Sequence, residues 1–144
     1  MMNKSIFASA VLSLLFALPA LAAGDQDARQ KVDLPDMMKQ HMLGNMRDHL
    51  QTLHEIQLAM AKGELDQAGD IAEQRLGMSS LAAHHAAHMA PFMPKAMQDI
   101  GTEMHHAASR FAMTVKEGDT LRALDSLSRV TQQCIACHAA YRLN

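Results

Sequence analysis

Tryptophan is absent from this 144-residue chain, and aromatic residues make up only 3% of it. A β-sandwich draws its core from aromatic and β-branched side chains, so that architecture is disfavoured. Leucine, methionine and alanine are left to build the interior, and these suit helices. Charge of one sign is lacking as well: 13 Lys and Arg stand against 15 Asp and Glu, a net charge of −2. No basic patch points to nucleic acid, and no charge run points to a disordered tail. A nucleophile–base arrangement, a phosphate loop and paired carboxylates are also missing, which argues against an ordinary enzyme. Beyond the N-terminal stretch no segment is apolar and long enough to cross a bilayer. Cysteine occurs only twice.

What is present begins with an export signal. Lys4 precedes an apolar run from Ile6 to Leu18, and Ala20-Leu21-Ala22 supplies small residues for cleavage after Ala22 or Ala23. The run is too short for a comfortable membrane span. Residues 1–22 therefore read as a cleaved secretory signal peptide and 23–33 as a flexible lead-in. Residues 34–144 read as one domain, soluble and exported to a bacterial periplasm. Loss of Lys4 takes the net charge to about −3.

The domain carries four helical patterns. Asp33 offers an N-cap for the first, from Leu34 to about Lys62, with Leu43, Met46, Leu50, Leu53 and Met60 as its apolar stripe and Gly63 as terminator. The second starts near Glu64 and is weakened at Gly77; it continues as one kinked helix or as two short ones, and Pro91 ends it. Pro94 opens the third, whose stripe runs through Met93, Met97, Ile100, Met104, Ala108, Phe111 and Val115 to a stop at Gly118. Asp119 caps the fourth, with Leu121, Leu124, Leu127, Thr131, Cys134 and His138 in line. With short connections and no strand pattern, the expected fold is all-α, an antiparallel four-helix bundle.

The two cysteines lie in Cys134-Ile135-Ala136-Cys137-His138, the Cys-x-x-Cys-His pattern of covalent c-type haem attachment. Positions i, i+3 and i+4 share one helix face, so both thiols and the imidazole can address one flat ligand. In that pattern each thiol forms a thioether to the porphyrin and His138 is the proximal iron ligand. A thioredoxin-like redox pair needs a βαβ setting, and a zinc site needs more ligands at a sensible spacing. One haem c, covalently attached, is the cofactor to expect.

Extended to Cys134-x-x-Cys137-His138-x-x-Tyr141-Arg142, the motif and the helix order resemble the cytochrome c′ family with its low-spin relatives. These are exported four-helix haem proteins with the attachment site on the last helix. The Lys62-Gly63 connection is similar too. The resemblance implies that Arg142 lies near the proximal haem face; the other reading is a solvated cation favourable to the helix dipole. It also implies that helix one covers the opposite face of the iron. Counting back from Lys62-Gly63 lands within one residue of Met46, and Met42 is the runner-up. Matching Lys39-Gln40-x-x-Leu43 to the pattern of gas-binding members points to Leu43 instead. A thioether from Met46 gives low-spin iron suited to one-electron transfer with an unnamed redox partner. Leu43 leaves a five-coordinate iron open to nitric oxide or carbon monoxide. Members often pair as homodimers through their first two helices.

Nine histidines and 13 methionines offer another chemistry. His84 and His88, at i and i+4, have the spacing of a metal pair, His85 sits between them, His105 and His106 are adjacent, and Met89, Met93 and Met97 step by four. Soft thioethers beside imidazoles suit copper, so a periplasmic copper-handling protein is the reading from a different class. Against it, the methionines of helix three fall on its core stripe and the histidines mostly fall off it, as solvated residues do. His41, His49 and His54 on helix one are candidate misligands for a nearby haem.

Overall fold

The computed structural model describes residues 27–143, and within them the chain is all-α apart from one short strand pair. The signal peptide expected at 1–22 lies outside the described residues. Helix α1 spans Asp36–Ala61, α2 Leu65–Arg75, α3 Ala86–Met89, α4 Lys95–Thr114 and α5 Thr120–Ala140. Among the described residues no helix is long and apolar enough to cross a membrane.

Local chemistry sets most of the ends. Asp119 accepts from the backbone N–H groups of Leu121 (2.9 Å) and Arg122 (3.1 Å), occupying two of the four donors that a helix start leaves free. Gly63 and Gly118 take φ of 78° and 76° and turn the chain between α1 and α2 and before α5. Asp33 does not cap α1: it pairs with Lys31, and Pro35 is the N-cap without a side-chain bond. The second helical pattern resolves into separate pieces. Past Leu76 the chain forms a 3-10 turn at Met78–Ser80, turns again through 81–85, and restarts as α3 after His85 in a left-handed conformation (φ 52°). Pro91 sits inside a 3-10 turn, Ala90–Phe92.

Helix α1 packs on α2, α2 on α4, and α4 on α5. The core holds many small residues: Ala59, Ala68, Ala72, Ala107, Ala108 and Ala123 surround Ile56, Leu76, Met104, Phe111, Val115, Leu127 and Val130. On α4 the buried Met97, Met104, Ala108 and Phe111 fall on the expected stripe, whereas Ile100 is half-buried and His105, Ala107 and Ala112 are buried beside it. On α1 and α5 the buried face is rotated from it. Leu50 is 71% exposed and Leu121 78%, with Leu124 also outside, whereas His49, Thr52, Ile56, Ala59 and Met60 face inward on α1 and Ala123, Leu127 and Val130 on α5. Arg75 of α2 binds both Asp48 and Glu55 of α1, fixing which flank of α1 meets α2.

No strand was expected, yet Gln30–Lys31 (β1) pairs in parallel with Tyr141–Arg142 (β2), extended by Val32 N–H to the Arg142 carbonyl at 2.8 Å. Part of the expected lead-in is therefore built into the fold, with Val32 buried. The pairing brings the start of α1 to the end of α5.

Gly69 of α2 sits tightly against α4 and the turn that follows it. A Cβ there would stand 2.7 Å from Val115 Cγ2 and 3.1 Å from the Ala112 carbonyl oxygen, whereas one on Gly101 meets nothing within 4 Å. Gly69→Ala should therefore cost about 1–3 kcal/mol in urea denaturation, while Gly101→Ala, in the interior of α4, should gain about 0.5–1 kcal/mol. Equal stabilities for the two variants would contradict this packing.

Candidate functional site

Cys134, Cys137 and His138 occupy the last two turns of α5, continuing the face that buries Leu127 and Val130. Both cysteines are free thiols and half-buried; His138 is exposed. Burial pushes both thiols above their ordinary range, and at Cys137 the neighbouring Cys134 adds to the effect. Cys134 Sγ donates to the Val130 carbonyl at 3.6 Å, the usual resting contact of a thiol on a helix. Among the described residues no group of three or more His, Cys, Asp or Glu is placed to hold a metal ion.

The N-terminal segment is strapped across this end of α5. Arg29 is held by Asp27 at 2.7 and 2.9 Å and donates from Nη1 to the His138 carbonyl at 3.3 Å. Arg142 lies in β2, its Nε 3.6 Å from Asp27 Oδ2, and that Nε is buried without a hydrogen bond. The strap depends on Asp27 and Arg29, which carry no pattern a single sequence would reveal.

Packing thins at the same end of α1. No residue of α1 before His49 is fully buried; Met38, Met42, Leu43 and Met46 are all half-buried. Winding back from Ile56 at about 100° per residue, Met42 falls about 40° and Met46 about 80° to one side of the buried face, and Leu43 about 140°. Asp48 and Glu55 fall about 80–100° to the other side, where they hold α2. Met42 and Met46 thus lie on the flank turned away from α2, and Leu43 points further outward.

A second cluster is one the sequence reading did not assemble. His49 of α1, His84 of the 81–85 turn and His105 of α4 come together, with ring centroids 4.8 Å (His49–His84), 5.3 Å (His84–His105) and 6.3 Å (His49–His105) apart. His49 (9% exposed) and His105 (7%) are buried, contrary to the expectation that the histidines are solvated. His84 and His88 do not form the expected i, i+4 pair on one helix, because the left-handed His85 separates the turn from α3. The His84 carbonyl accepts from His41 Nε2 (3.1 Å) and Asn45 Nδ2 (3.2 Å), which pins the turn to α1. No signal local in sequence links three residues so far apart.

Comparison with family models, with curated proteins and with solved structures finds no match to this chain.

Burial, followed by the neighbouring His84 and His105, lowers the His49 pKa to about 4; Asp48 opposes weakly. His84 and His105 are lowered too, chiefly by burial. An unfolded histidine binds its proton near pH 6.5, so between pH 6.5 and 4 the unfolded chain holds more protons than the native one. Stability is then complete above pH 6.5 and falls as pH drops towards 4. For His49 alone the loss between pH 7 and 5 should be about 2 kcal/mol, read by urea denaturation of chelator-treated protein, and His49→Leu should flatten the profile. A wild type equally stable at both pH values would refute the assignment.

Proposed function

We propose that this chain is an exported c-type cytochrome that carries single electrons, with one haem c on α5 and its helices forming an antiparallel four-helix bundle. The observation that carries the reading is the Cys134-x-x-Cys137-His138 motif on a helix end, its thiols free and half-buried, where the packed core stops. The donor set fits the group: two free thiols for thioether bonds, an exposed imidazole one residue on, and half-buried thioethers on the helix whose start is tied to the same end. Haem bound there supplies a one-electron iron couple.

In this reading Cys134 and Cys137 anchor the porphyrin and His138 is the proximal ligand. Met46 is the distal ligand, with Met42 as runner-up. The flank on which both lie, away from α2, supports a thioether over an iron left open behind Leu43. Arg29 and Asp27 steady the turn that carries His138 through its carbonyl, which helps to keep the imidazole oriented in both redox states. Arg142, its Nε buried beside Asp27, is on this reading the cation expected near the proximal haem face.

Visible spectra of the purified protein test the proposal. The reduced form should give sharp low-spin bands unmoved by carbon monoxide. Met46→Leu should turn high-spin and bind carbon monoxide, while Met42→Leu should stay low-spin. The reverse outcome would exchange the two ligands, and a carbon monoxide shift in the wild type would favour gas binding instead. Cys134→Ala with Cys137→Ala should leave no haem attached after denaturation. A wild type without haem bands, from a host competent in cytochrome maturation, would sink the reading.

A further inference from the structure

The His49–His84–His105 cluster uses none of the residues assigned to haem. Its hydrogen bonds fix two tautomers. The Ser80 hydroxyl donates to the Gly77 carbonyl at 2.7 Å, so its oxygen is left to accept, and His84 Nδ1 at 3.3 Å must be the donor. The Leu76 carbonyl can only accept, so His105 Nδ1, 2.7 Å away, carries a proton as well. A neutral ring protonated at Nδ1 has a bare lone pair on Nε2. In His84 and His105, therefore, Nε2 is the basic nitrogen. The third ring, His49, has its Nε2 buried with no hydrogen-bond partner at all.

A buried polar atom left unpaired costs about 1–3 kcal/mol. Two further imidazoles beside it, each with Nδ1–H tied to an oxygen, repeat the outer shell of metal-bound histidine, where that second contact fixes tautomer and orientation. Spacing agrees too. Imidazoles bound to one tetrahedral ion through nitrogens at about 2.0–2.1 Å have centroids about 5 Å apart. The observed separations, 4.8, 5.3 and 6.3 Å, bracket that value. As placed, no group of three such side chains among the described residues is set to hold an ion. Binding therefore needs a ring to turn, and His49, with no bond at Nε2, is the freest to do so.

We propose that His49, His84 and His105 form a binding site for a divalent late transition metal ion, zinc being the probe ion. Three neutral imidazoles suit zinc, copper or nickel and leave one position for an outside ligand. The half-buried His84 is the side from which an ion would enter. The site is independent of the haem reading, and either can fail without the other.

Calorimetric titration of the chelator-treated protein with zinc chloride tests it, together with zinc-edge anomalous diffraction from soaked crystals. One ion per chain is expected, with its anomalous peak among the three rings. His84→Ala should weaken binding at least ~10-fold. This variant keeps the His84 carbonyl that holds the turn, so it should fold, as circular dichroism would check. Ser80→Ala, which removes the hydroxyl beside both His84 Nδ1 (3.3 Å) and His105 Nδ1 (3.4 Å), should weaken binding ~10-fold or more without abolishing it. His85→Ala with His88→Ala, on the exposed side, should bind as the wild type does. Absence of zinc binding, unchanged affinity in His84→Ala, or loss of the ion in the His85/His88 double variant would each overturn the proposal.

Discussion

Close approach between backbones sets the position of everything else. With no tryptophan and few aromatics, the core cannot be filled by large flat side chains, and the helices must come together on small ones. Ala68, Gly69 and Ala72 of α2 lie against α4 so tightly that even a methyl at position 69 would meet the Ala112 carbonyl oxygen at 3.1 Å. Packing of this kind gains from dispersion over many short contacts and is intolerant of added volume. It also has a definite extent, ending near His49 on α1 and Val130 on α5.

Beyond that limit the chain is closed by different means. Instead of a core, the end carrying Cys134, Cys137 and His138 has a two-residue parallel pairing, the Val32–Arg142 hydrogen bond and the Asp27–Arg29 strap on the His138 carbonyl. Here Met38, Met42, Leu43 and Met46 of α1 and both cysteines of α5 are half-buried, and Met37 and Ile135 are exposed. A site for a large apolar group needs both properties: walls held at fixed positions, and surface between them not yet committed to protein–protein contact. On the proposed reading, the strap that holds the end of α5 supplies the first, and the half-buried thioethers of α1 the second.

Much of this was legible in the sequence, and what was not has a physical explanation. Asp119, Gly63 and Gly118 act within a turn of where they sit, so a local reading finds them. The same holds for the cysteine–histidine motif, whose geometry is that of one helix. Faces were harder. Reading α1 and α5 by their leucines chose Leu50, Leu121 and Leu124, which are exposed, and passed over His49, Thr52 and Ala123, which are buried. When small and polar residues fill a core, hydrophobicity no longer marks its centre and periodicity is read off the flank. Strand pairing between residues 30–31 and 141–142 and the meeting of three histidines from α1, a turn and α4 are long-range events, and a single chain carries no record of them.

Those histidines bear on why the core is as it is. An imidazole at position 49 with an unpaired buried nitrogen is less favourable than leucine would be, by the desolvation of that nitrogen and by the proton it must shed. Thr52, one turn on, avoids the same cost by donating to the Asp48 carbonyl at 2.7 Å, and His105 avoids it through Leu76. Of these three core residues His49 is the one left without compensation, although nothing in the helix demands histidine there. A residue that weakens its own packing is best understood through something that binds it, and the two lone pairs beside it, held in place by Ser80 and Leu76, already have the chemistry of a metal ion's ligands.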